Sequence, residues 1–444
     1  MTRTCPPQQA KRFYWFIVLP IQSLCLTPIA APLYGFNALV RPINEVFSQD
    51  NINNGWAGAL IGGTLFLSLG FGGLTHNRFL KLAGNRTKLF VAMNAALVLS
   101  FVIAAIACHY RLYWLLMFGF AVPAGVSIVN LFFIGLVFLV SWGHAMGKVG
   151  LSSGTFGMLL GFWGAVYSVL SPIVRSHVGF LWMLILLGFA VAAVELLGLL
   201  LMIDPPESTT EKTSSEKDDT PILAFRNIVQ FPSFWVFGFF ILLFLLPGFG
   251  FKLIVSALSD EVFHTTESVA SSMAAIFLVC YGASRLGFGI LSDSLPIKPM
   301  YFIFSLVQAV ALLIAAVSLP YMKGVVFFTF LMCLTGTMFA AGKCLWSVTM
   351  VRMFGQKNFH TPMMLTQPFV GIAAFLGPVS LTWALRAEDV RTSVGWWLYA
   401  SSGALAVATF LFQILRRFNY ERFAKHQRQG LNFHWRSKDE FDRF

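Results

Sequence analysis

Apolar residues dominate the chain in long blocks, and short polar stretches separate the blocks. The blocks lie near residues 13–40, 56–76, 89–108, 112–140, 150–172 and 179–203, and again near 234–257, 267–292, 299–320, 324–350, 362–385 and 394–415. An α-helix needs about 20 mostly apolar residues to cross the hydrocarbon core, and each block supplies them. Backbone polar groups in lipid must be satisfied internally, so spans of this kind can only be helices. The pattern therefore predicts an all-α membrane protein of twelve transmembrane helices in two pseudo-symmetric six-helix bundles. The expected divisions are an N-terminus at 1–12, a first bundle at 13–203, a linker at 204–233, a second bundle at 234–415 and a basic tail at 416–444. From Pro205 to Asp219 the linker is rich in Ser, Thr, Glu, Lys and Pro, the composition of a disordered connection.

Composition narrows the class: 57% of the 444 residues are apolar and 11% are charged, which excludes an ordinary soluble domain. A net charge of +12 would suggest a nucleic-acid partner in a soluble chain. Here the distribution decides otherwise. Of 31 Lys and Arg, 22 fall in segments on the side of the N-terminus, six in the opposite loops (Arg41, Arg111, Arg175, Lys323, Arg386, Arg391) and three inside spans. That asymmetry places both termini in the cytoplasm, with the lipid bilayer of a plasma or inner cell membrane as the partner and no nucleic acid. Eight of the 22 sit between Arg416 and Arg443, an orientation signal that also touches anionic lipid.

The first apolar run is long and lacks a small-residue cleavage site, so it is expected to remain as a span. All six cysteines except Cys5 fall in apolar runs without metal-ligand spacing and read as packing residues. His144, His264 and His360 lie at loop edges, as interfacial histidines do. No nucleotide loop, metal pair or nucleophile elbow is in a fitting context, so neither an enzyme nor a cofactor is expected.

Candidate chemistry lies in the charges that fall inside spans. Arg285 sits deep in the eighth block and Lys343 midway along the tenth, and burying such groups costs several kcal/mol, on the order of 2.5 or more, unless they are paired or face water. The planar fork of Arg285 can hold a carboxylate with two parallel hydrogen bonds, and Lys343 adds positive potential. Lys252 lies nearer a span end, from which it is expected to snorkel. Glu195, in the Leu-rich sixth block, is a candidate proton site. Glycines at helical spacing from Gly62 to Gly73 and from Gly154 to Gly164 allow either close helix contact or solute contact. Pro32, Pro247 and Pro368 fall inside spans, where they can kink or unwind a turn.

The stretch ArgLeuGlyPheGlyIleLeuSerAsp, Arg285 to Asp293, ends the eighth block with Gly289 and Asp293 in a Gly-x-Leu-Ser-Asp order. It resembles the second-half loop motif of the major facilitator superfamily, whose Asp helps lock one end of the carrier shut. The first-half counterpart runs from Gly73 to Arg78 and has Asn77 where the Asp is usual. Four further segments narrow the resemblance: TyrGlyPheAsnAlaLeuValArgProIle from Tyr34, TrpGlyHisAlaMetGlyLysValGly from Trp142, AspProPro at Asp204 and PheProSerPheTrp from Phe231. Taken in order over the whole chain, they are similar to the oxalate/formate antiporter and monocarboxylate carrier branches. The resemblance implies that Arg285 anchors a carboxylate. Monocarboxylate carriers place an Asp one turn earlier, where this chain has Tyr281. Oxalate carriers place a Lys in the eleventh span, where the alignment gives Gln367.

The expected protein is thus a carrier with its site near the midplane. Arg285 and Lys343 attract a small organic anion, while Tyr34, Asn37, Tyr281 and Gln367 orient it. Gly73, Arg78, Gly289 and Asp293 belong to the gates. Release proceeds by exchange for a counter-anion or by coupled protons. The alternatives are a carrier of another solute, such as an amino acid or drug, and a receptor with a carrier fold that does not transport.

Overall fold

The computed structural model describes residues 7–48, 57–205, 228–229, 232–322, 324–358 and 360–427. Most of the expected linker and the tail from residue 428 lie outside the described residues. Among those described, eleven helices are long and apolar enough to cross a membrane: α1 (Ala57–Ala83), α2 (Arg86–His109), α3 (Tyr113–Ala145), α4 (Val149–Val178), α5 (Phe180–Leu200), α6 (Phe234–Val255), α7 (Ser268–Ser292), α8 (Ile297–Tyr321), α9 (Val325–Met350), α10 (Thr361–Leu385) and α11 (Val390–Phe412). Their limits follow the apolar blocks to within a few residues. This is a multi-pass integral membrane protein.

The first block departs from expectation. Instead of one span it forms helical pieces: a wide π-turn at Tyr14–Gln22, a 3-10 turn at Pro28–Ala30, a short helix Ala31–Tyr34, and Asn37–Phe47. Four prolines explain the breaks, because Pro20, Pro28, Pro32 and Pro42 each remove a backbone N–H donor from the ladder. The freed groups find other partners, as they must in a membrane. Thr27 Oγ1 donates to the Ser23 carbonyl at 2.8 Å, and the Ile29 N–H donates to Glu195 Oε1 of α5 at 3.0 Å. Glu195 is fully buried, so the candidate proton site serves here as an acceptor at the helix break.

Contacts are dense among α1–α5 and among α6–α11, and the broadest crossings between early and late helices are α4 with α7 and α1 with α10. Glycine makes both crossings close. A Cβ on Gly70 would lie 2.7 Å from the Gly371 Cα, and one on Gly154 would lie 2.7 Å from the Arg285 carbonyl oxygen. Backbones this near leave no room for a side chain. Trp182, Phe189, Leu197 and Leu200 of α5 point outward, as an apolar solvent allows. Gly179, with φ of 80°, turns α4 into α5 within one residue, a conformation that favours glycine. At the other end of α5, Asp204 pairs with Arg86 at 2.7 Å and the Ile203 carbonyl accepts from Trp142 Nε1 at 3.0 Å.

Glu195→Ala removes the acceptor and strands the buried Ile29 N–H, at a cost of about 1–3 kcal/mol. Purified protein carrying it should melt several degrees below the native chain in a thermal-shift assay, with Glu195→Gln restoring most of the loss. An unchanged melting temperature in the alanine variant would show that packing alone holds the break.

Candidate functional site

Five side chains from four elements converge in the interior. Tyr34 ends the short helix Ala31–Tyr34, Lys252 comes from α6, Tyr281 and Arg285 from α7, and Lys343 from α9. The four-residue spacing on α7 places Tyr281 and Arg285 on one face. Tyr34 is the hub. Its hydroxyl accepts from Arg285 Nη1 and from Lys343 Nζ, each at 3.4 Å, and from the Tyr281 hydroxyl at 3.2 Å. Lys252 Nζ stands over the Tyr34 ring, 3.1 Å from its centroid. Arg285 Nη1 also reaches the Tyr281 hydroxyl at 3.4 Å and the Gly157 carbonyl at 3.5 Å. Gly157 makes the room for this guanidinium, since a Cβ there would collide with it.

All three basic groups are buried: Lys252 is 1% exposed, Arg285 4% and Lys343 9%. Aromatic rings close in around them. Phe66 lies 5.0 Å from Lys252 Nζ, Phe249 lies 4.9 Å from Lys343 Nζ, and Phe339 packs on Tyr281 at 5.5 Å. Among the described residues no carboxylate pairs with any of the three, and Lys252 Nζ and Arg285 Nε have no hydrogen-bond partner. Only one acidic residue, Glu195, lies within the eleven spans, and it is engaged with Ile29. Like charges at short range in a poorly screened interior repel, so this arrangement favours any anion that enters.

A cavity of about 880 Å³ lies beside the cluster, lined by the helix ends that carry Arg41, Glu45, Arg175, Asp260 and Glu261 and by Arg386 in the turn after α10. Asn37, Ser168, Ile254 and Ala274 also line it, with Asn37 three residues after Tyr34, Ile254 two after Lys252 and Ala274 seven before Tyr281. The Asn37 carbonyl accepts from Ser168 Oγ at 3.2 Å.

The opposite end is closed. Asp293 accepts from the Gly150 N–H at 2.7 Å and the Leu151 N–H at 3.1 Å, placing a carboxylate at the N-terminus of α4. Both the exposed donors and the helix dipole favour a negative group there. Gly289 lies against Gly154, where a Cβ on Gly289 would come 2.7 Å from the Gly154 Cα. Tyr14 and Ser152 hydroxyls bond at 2.7 Å nearby, and Ser153 hydrogen-bonds Ser347 of α9.

Of the residues singled out from the sequence, the structure brings Tyr34, Tyr281, Arg285 and Lys343 into mutual contact and sets Asn37 at the cavity beside them. Gln367 is elsewhere: its backbone and Cβ pack against Gly70 and Gly73 at the α1–α10 crossing, and among the described residues no hydrogen bond joins it to the cluster. Arg78 is exposed at the end of α1. Lys252 corrects the snorkelling expectation. Although α6 ends three residues later at Val255, the lysine ammonium turns inward onto the Tyr34 ring and the residue is 1% exposed. The ring that draws it inward, Tyr34, lies 218 positions away in the sequence.

A family profile described as Major Facilitator Superfamily matches residues 23–378. The chain belongs to the major facilitator superfamily. No curated protein sequence matches it. Solved structures share the superfamily fold at low identity. The human organic anion transporter MFSD10 (TETRAN) is 12% identical with a TM-score of 0.61, over 92% of this chain and 100% of that one. A bacterial homologue of the human lysosomal transporter Spinster is 14% identical with a TM-score of 0.62, over 91% and 97%. The proton:xylose symporter XylE is 12% identical with a TM-score of 0.65, over 90% and 96%. As a major facilitator, the protein is a transporter and not an enzyme, and it carries a small solute within the bilayer.

Removing the carboxylate at the closed end by Asp293→Ala takes away a helix-terminus interaction of about 1–2 kcal/mol, equivalent to roughly 5- to 30-fold in the opening equilibrium. A cysteine placed at Ser153, buried behind that contact, should then react with a soluble maleimide faster by that factor, with the labelled peptide identified by mass spectrometry. Equal rates with and without Asp293 would show that the contact does not hold this end shut.

Proposed function

We propose that this major facilitator is a secondary transporter of a small organic anion, a mono- or dicarboxylate, working by alternating access. The observation that carries the reading is the convergence of Lys252, Arg285 and Lys343 around Tyr34 with no acidic residue among them. Cationic or zwitterionic solutes need carboxylates beside the cluster; the eleven described spans hold only Glu195, and of the acids lining the neighbouring cavity Glu45 is paired with Arg41 and Arg175. The fold resembles an organic anion transporter and a sugar symporter equally well, so the substrate class rests on the chamber.

In this reading the broken stretch near residues 13–40 is the first of twelve spans. Six spans form each half, and the linker around 204–233 joins them on the cytoplasmic side together with both termini. The cavity beside Arg41 and Arg386 then faces outward in a plasma or inner cell membrane, and the Asp293 contact seals the cytoplasmic end. Arg285 holds a carboxylate with its fork. Lys343 adds charge, and the two tyrosines supply orienting hydroxyls. Tyr281 stands where a proton-linked Asp would be, which favours exchange for another anion over proton symport.

The test is uptake of radiolabelled mono- and dicarboxylates into proteoliposomes, at two pH values and with or without anion inside. Saturable uptake that falls about 30-fold or more in Arg285→Gln is expected, because losing one member of a buried charge contact costs about 2–5 kcal/mol. Stimulation by internal anion marks exchange, and stimulation by a proton gradient marks symport. Uptake that persists undiminished in Arg285→Gln would overturn the anchor role, and binding without flux would indicate a receptor.

A further inference from the structure

The chamber holds more positive groups than one carboxylate can use. Arg285 Nη1 and Lys343 Nζ share the Tyr34 hydroxyl at 3.4 Å each, so the two are close enough to grip a single carboxylate between them. Lys252 lies on the face of the same ring, 3.1 Å from its centroid against 5.6 Å for Lys343. Its ammonium has no hydrogen-bond partner, its neighbours are the rings of Tyr34, Phe66, Phe249 and Tyr281, and its exposure is 1%. Positive charge is therefore offered at two places, the hydroxyl end of Tyr34 and its ring face.

Resting on the organic-anion reading above, we propose that Lys252 is a specificity-determining residue that selects a ligand with two negative groups a few bonds apart, a short dicarboxylate. One carboxylate lies between Arg285 and Lys343, and the second takes Lys252 from the Tyr34 ring. A monocarboxylate fills the first position and leaves Lys252 buried with only aromatic partners, which are weaker than a carboxylate for an ammonium. The closing rings of Phe66, Phe249 and Phe339 limit the chamber to short ligands.

Calorimetric titration of the purified protein with malonate and succinate, against propionate and butyrate of matched length, tests this at constant ionic strength. The dicarboxylates should bind at least tenfold more tightly than their monoacid counterparts. In Lys252→Met that ratio should fall below about threefold, and Lys252→Arg should keep most of it. Lys252→Gln replaces the methionine variant if the latter does not fold. A native ratio near one, or a ratio that survives loss of Lys252, overturns the proposal. Monoacids that bind as tightly as diacids, yet lose binding in Arg285→Gln, overturn the role of Lys252 while leaving the anion carrier standing. Failure of all four acids to bind overturns both.

Discussion

A lysine or arginine in the core of a membrane protein survives only where something replaces its water. Lys252, Arg285 and Lys343 meet that constraint with two tyrosine hydroxyls, one carbonyl and a set of aromatic faces, all neutral. None of these partners cancels charge. The leading stretch must break where it does to bring Tyr34 between α6, α7 and α9, and α4 must carry glycine at position 157 so that the Arg285 guanidinium has space. The break in turn depends on Glu195, which accepts the N–H that the helix ladder can no longer use. The acidic residue closest in kind to a counter-ion thus supports the backbone and leaves the site electropositive.

Motion and packing meet at the glycine crossings. Where Gly150 and Gly154 face Gly289, and Gly70 faces Gly371, contact is backbone against backbone, and few side chains interlock. Such a seam packs closely but resists separation little, so polar contacts across it carry weight out of proportion to their number. Asp293 supplies two of them to the first turn of α4. The equivalent place in the earlier half has Asn77, which carries no charge for a helix terminus to stabilise. In the proposed carrier, one charged contact in place of two would lower the barrier to opening that end.

The eleven long helices were legible because a bilayer demands length and apolarity, both of which are written residue by residue. The broken first span was half legible. Pro28 and Pro32 announced a disturbance, but the carboxylate that stabilises it comes from Glu195, 166 positions away from Ile29. Arg285 could be singled out by depth alone. Lys252 could not, since it lies three residues from the end of its span and the ring it covers lies far off in the sequence. Gln367 was placed by alignment with a lysine position, yet a helix rotated toward Gly70 and Gly73 carries that position to the crossing instead.

The same electrostatics bears on coupling. Closing both ends of the chamber removes the remaining water from three basic groups, and burial without compensation is costly for each. A bound anion supplies the missing charge, so the loaded chamber can close at a cost that the unloaded one cannot match. The proposed anion carrier would therefore return across the membrane more readily with an anion than without one, which is the physical content of exchange. A proton-linked carrier would instead need an acid beside the cations to neutralise them on the return. Tyr281 occupies that place, and a phenol at neutral pH has no negative charge to give.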